Sequence, residues 1–209
     1  MSRKYALAAG AAALALVIIA GTWLYGRSQT RLQQESIAQL VADTTARLRE
    51  ALSAPASGEA MSRIDANLRA ARAPRDAALA DAAEHYILGA REIVRRRVEG
   101  ARLEREAAAS RQALAAHMAR ASSRNNAWIK EAMALKKKVE RSHYDLSLTL
   151  KALDELLFTF PDAEKRLAPH VDHALLLDVG VREAARKQAR EDAARAAAEL
   201  EKLRSLAPR

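Results

Sequence analysis

His170-x-x-His173, with Asp172 beside the second imidazole, comes closer to a metal site than any other run in the chain. Residues three apart on a helix share a face, so both rings could reach one cation. Zinc takes three protein ligands even in an open catalytic site, however, and no third ligand is fixed nearby. The pair therefore reads as exposed histidines at a helix start. Glu140-x-x-His143 has the spacing used in di-iron bundles, but that chemistry needs the motif twice together with two further carboxylates. A second Glu-x-x-His does not occur. His85 and His117 stand alone and are expected on the surface or on a helix flank. There is no Gly-rich phosphate loop, no Gly-x-Ser-x-Gly and no cysteine, so the common phosphate-binding and nucleophilic devices are missing. The expectation is no enzyme, no cofactor and no metal.

The elements around these residues are helical. Among 209 residues, glycine and proline number only 7 and 5, and alanine is by far the commonest residue. Alanine is the best helix former and buries little area. Sheet proteins need frequent turns and β-branched runs, which this sequence lacks. Beyond the first 25 residues the only aromatics are Tyr86, Trp128, Tyr144, Phe158 and Phe160.

A net charge of +9 raises the question of a nucleic-acid partner. Residues 26–74 carry 7 basic and 5 acidic groups, 75–121 carry 9 and 7, 122–160 carry 7 and 5, and 161–209 carry 10 and 9. Divided this way, the excess is spread thinly along the chain. Few aromatics are present to stack on bases. Arg95–Arg97 and Lys136–Lys138 read as solvated helix surface, and no nucleic-acid partner is expected.

The N-terminus is the most apolar part of the chain. Tyr5 to Tyr25 is a run of 21 residues without a charge, longer than the ~7–15 residues of a signal-peptide core and close to the ~20 needed to span a bilayer. Tyr5 at one end and Trp23 and Tyr25 at the other suit the two membrane interfaces. No small-x-small pair follows the run where a signal peptidase would cut. Residues 1–27 therefore read as an uncleaved single-pass anchor with a short basic tail. Basic residues flank both sides, Arg3 and Lys4 before and Arg27 and Arg31 after, so orientation rests on the short N-terminal tail, which favours export of the bulk. With the Ala- and Arg-rich composition of a bacterial protein, this points to the inner (cytoplasmic) membrane and a periplasmic body.

Residues 28–74 read as membrane-proximal helices, one over 28–53 and a shorter one over 59–73, separated by Pro55 and Gly58 and closed by Pro74. From Leu79 an apolar or small residue recurs in steps of three and four through Ala82, Tyr86, Gly89, Ile93, Gly100, Leu103 and Ala107, broken by Arg96. The alternation of large and small suits an antiparallel coiled-coil pair. The track resumes through Trp128, Leu135, Val139, Leu146, Leu150, Leu153, Leu157 and Phe160, the expected packing and interaction stripe, with Lys151, Asp154 and Glu155 off it. Residues 75–160 are thus two long helices turning at 122–126, where Ser and Asn cluster. The alternative is one continuous helix with a core Asn, reaching about 130 Å. Pro161 is expected to stop the second helix, leaving 161–209 for a helix over 170–206 that returns along the bundle.

The fold expected is all-α: an N-terminal transmembrane helix followed by an elongated helical bundle or antiparallel coiled coil. In outline it resembles the membrane-anchored helical sensor modules of bacterial receptors, but it shows neither a second apolar run nor a signalling module. Two functions follow. The first is an anchored scaffold or adaptor presenting a coiled-coil surface to partner proteins of an envelope complex, with self-association left open. The alternative is a bundle that senses a small ligand held between its helices.

Overall fold

The computed structural model describes residues 30–54, 58–74, 76–120 and 125–205. These residues are all-helical, with no strand among them. Helix α1 covers 30–53. It is followed by α2 (Gly58–Ala71), α3 (Ala77–Ala119), α4 (Asn126–Leu167), a 3-10 turn (His173–Leu175) and α5 (Val179–Ser205). The run containing Tyr5, Trp23 and Tyr25 lies outside the described residues. No described helix is long and apolar enough to cross a membrane.

The helix starts are set by short polar side chains that accept from the free backbone N–H groups of the first turn. Asp76 accepts from Ala78 and Leu79 ahead of α3. Asn125 accepts from Trp128 N at 2.8 Å ahead of α4, and Asp178 accepts from Val181 N at 3.1 Å at the start of α5. Helix α3 ends at Ala119 and α4 begins at Asn126, so they are two helices that pack along each other rather than one rod.

Cross-helix contacts fix the directions. Gly89 lies beside Phe160, Gly100 beside Leu150 and His117 beside Trp128, so α4 runs back along α3. Glu164 meets Arg182 and Asp154 meets Arg186, so α5 runs back along α4. Asp65 pairs with Arg91 and Arg72 with Glu84, which makes α2 antiparallel to α3. Thr45 bonds Tyr86 and Leu52 faces Arg97, so α1 runs with α3. Residue 30 is therefore at the end of the bundle opposite the α3–α4 turn.

The main core lies where all five helices meet. It joins Ile37, Val41 and Leu48 of α1 to Ile64 of α2, Tyr86 and Ile93 of α3, Leu157 and Phe160 of α4, and Leu176 and Leu177 after the 3-10 turn. A smaller cluster of Leu103, Leu146, Leu150, Ala193 and Ala196 continues toward the turn, where only α3, α4 and α5 remain. Val139, Leu146, Leu150, Leu153, Leu157 and Phe160 are all buried, while Trp128 and Leu135 are half-buried.

Two boundaries differ from the sequence reading. Pro161 sits inside α4, which continues to Leu167. A mid-helix proline costs about 3 kcal/mol, but Phe160 and Leu167 are buried on either side of it, and each such side chain contributes about 1.5–3 kcal/mol. Packing outweighs the lost backbone bond. The last helix begins at Val179 rather than 170, because Leu176 and Leu177 enter the core in a non-helical stretch.

Candidate functional site

The stripe from Val139 to Phe160 is used in contacts within the chain, so it is not what a partner would meet. Several exposed apolar side chains, Met118, Ile129 and Met133, gather instead at the tip formed by the end of α3 and the start of α4. An open groove of about 380 Å³ there is lined by Leu114, Met118, Trp128, Ile129, Ala132, Met133, Lys136 and Leu203. Met133, Met118 and Ile129 are 67 %, 51 % and 43 % exposed. Methionine is flexible and polarisable and adapts to varied partner surfaces.

His117, expected to stand alone on the surface or on a helix flank, organises this tip. Its side chain is only 12 % exposed, and its ring stacks on Trp128 with centroids 5.1 Å apart and planes 18° apart. Its Nε2 lies 3.1 Å from the Trp128 carbonyl oxygen, a contact satisfied when Nε2 carries the proton. The stack joins the last turn of α3 to the first turn of α4.

The tip is strongly basic. Residues 111–138 carry seven Lys and Arg against one acid, Glu131, whereas 75–110 carry seven of each sign. The even spread found above came from dividing the chain at 121/122, which splits the tip. Lys136 lines the groove, and Lys130, Lys137 and Lys138 are exposed on the same stretch of α4.

A second concavity, about 400 Å³, opens between α3, α4 and α5. Glu104 and Arg111 come from α3, His143, Leu146 and Leu150 from α4, and Asp192, Arg195, Glu199 and Lys202 from α5. His143 is only 3 % exposed, and neither ring nitrogen has a hydrogen-bond partner. Burial lowers its pKa below the usual value, Arg111's charge adds to this, and Glu199 opposes it, so the ring is held neutral. The sequence singled out His143 only to reject iron. Its position three residues before Leu146 on the buried stripe was a signal of burial.

The other histidines do not converge. His170 lies in the turn after α4 and His173 in the 3-10 turn, so they do not share a helical face. His85 is exposed beside Asp81. No group of three His, Asp or Glu side chains able to hold a metal occurs among the described residues.

No protein-family model, curated protein or solved structure matches the chain.

Proposed function

We propose that the protein is a non-catalytic adaptor that presents the α3–α4 tip to an acidic, apolar-faced segment of a partner protein. The observation that carries this reading is the coincidence of exposed Met118, Ile129 and Met133 with Lys136 in the groove lining and exposed Lys130, Lys137 and Lys138 on the same stretch of α4. Exposed apolar patches framed by one sign of charge suit docking of an amphipathic helix of opposite charge. Charge of one sign also speeds encounter with such a partner.

The uncharged run Tyr5–Tyr25 supports a single-pass anchor in the inner membrane, with the helical body exported to the periplasm. Helix α3 has 43 residues and extends about 65 Å, so the body would act as a spacer holding the tip away from the anchor. A second copy is a poor occupant of the groove, because two basic tips repel. Nucleic acid is also a poor fit, because Trp128, the aromatic at the tip, is already stacked on His117.

The test is photo-cross-linking in living cells from a reactive residue placed at Met133, with a matched residue at Leu88 as control. Leu88 is exposed but lies at the other end of α3. Protein adducts specific to Met133 are expected. No adduct, or the same adducts from Leu88, would count against the reading.

A further inference from the structure

Of the four methionines in the chain, two converge on the tip groove. Met118 in the last turn of α3 and Met133 early in α4 both line it, and they are 51 % and 67 % exposed. Met61 is instead half-buried and packs against the main core, and Met1 lies outside the described residues. The chain has no cysteine, so no thiolate of its own takes up an oxidant ahead of these thioethers. Trp128, the aromatic in the groove, is stacked on His117 with its indole nitrogen sealed from solvent. Neither Met118 nor Met133 belongs to either core cluster, so a chemical change at their sulfurs leaves the packing of the bundle in place.

We propose that Met118 and Met133 form an oxidant-acceptor site, at which hydrogen peroxide converts both thioethers to sulfoxides and closes the groove to its partner. This rests on the docking role proposed above. A sulfur lone pair attacks one peroxide oxygen. The S–O bond forms as the O–O bond breaks, and the other oxygen leaves as water, carrying both protons. Each sulfur is oxidised by two electrons, and one peroxide is reduced. The product is a polar, chiral side chain in place of a flexible apolar one. Against the apolar face of a partner, the new oxygen would be buried without a donor, which weakens the contact. Two such oxygens would face one segment, because both side chains line the same groove. Leu114, Ile129, Ala132 and Leu203 would be left as its unaltered apolar lining.

The test has two arms. In the first, the full chain in detergent micelles is treated with hydrogen peroxide, and mass spectrometry of its peptides follows oxygen uptake at each methionine. Met118 and Met133 should oxidise about tenfold faster than Met61, with the helical circular dichroism unchanged. In the second, a photo-reactive residue at Ile129 reports docking in living cells before and after a peroxide pulse. The adduct yield should fall about tenfold, and it should fall equally in Met61→Leu. The double variant Met118→Leu, Met133→Leu, compared with its own untreated yield, should show no fall, which separates oxidation of these two sulfurs from damage to the partner. The proposal is overturned by equal oxidation rates at the three methionines, by an undiminished yield once both groove methionines are sulfoxides, or by the same fall in the double variant. No adduct from untreated cells would sink the docking reading and the gating with it, and the oxidation rates then judge the acceptor site by themselves.

Discussion

The Phe160 ring lies 3.0 Å from the point where a Cβ on Gly89 would stand. Phe160 also packs against Tyr86, whose ring centroid is 5.0 Å away, and both rings are buried. The α3–α4 contact thus closes on a residue without a side chain. At Gly100, by contrast, an added Cβ would meet Leu150 at an ordinary 3.7 Å. Alanine gains about 0.8–1 kcal/mol over glycine inside a helix, while overpacking a fixed ring costs about 1–3 kcal/mol. Gly100→Ala should therefore raise the melting temperature and Gly89→Ala lower it, as followed by circular dichroism. A rise in both would mean that Phe160 is free to move.

The hydroxyls of Thr45 and Tyr86 lie 2.6 Å apart inside the main core. Tyr86→Phe leaves the buried Thr45 hydroxyl without this partner and should cost about 1–3 kcal/mol, while Thr45→Val should cost less, because the Tyr86 hydroxyl keeps its hydrogen bond with the Leu177 backbone. The double variant should cost less than the sum, a coupling that urea unfolding would measure. Burial pushes the Tyr86 phenol from 10.0 up to about 12. The folded state therefore keeps this proton after the unfolded chain has lost it, and stability falls as pH rises from 10.0 toward about 12. Tyr86→Phe should remove that part of the alkaline loss.

His143 gives the opposite pH dependence. Burial, followed by Arg111, lowers its pKa below 6.5, so below that pH the unfolded chain binds a proton that the folded state resists. Its contribution to stability is whole above pH 6.5 and is lost as pH falls toward the lowered value. His143→Leu removes the titration, and the mildly acidic loss of stability seen in urea midpoints should shrink. An unchanged acid profile would show that the ring protonates freely in the fold.

Arg182 and Glu164 form an ion pair at 2.5 Å, with side chains 8 % and 13 % exposed. Burial raises the Glu164 carboxyl pKa even against Arg182's pull, which marks the pair as costly to leave half-broken. Arg182→Met alone should cost about 3–5 kcal/mol, and adding Glu164→Leu should recover most of it. Chemical denaturation of the two variants separates these outcomes.

Residue spacing revealed helices more readily than neighbours. An Ala-rich chain with few breakers could hardly be other than helical, and Asn125 marks the start of α4 by the capping chemistry that its side chain performs. Pro161 misled because a local rule about backbone bonds was outweighed by the burial of Phe160 and Leu167. Asp154 lies off the apolar stripe, as its spacing shows. Yet it reaches Arg186 at 3.1 Å and Arg190 at 3.7 Å on α5, a contact no α4 pattern could reveal. The basic tip was hidden because two stretches of modest charge fold onto each other. His143 is buried where α4 meets α3 and α5, so no local motif reveals its surroundings.

The most direct measurement of the proposed role is the yield of the Met133 cross-link after Lys130, Lys137 and Lys138 are all changed to glutamate. These side chains are exposed, so the melting temperature should stay nearly constant while the yield falls at least tenfold. An undiminished yield from the charge-reversed protein would contradict an acidic partner at the tip.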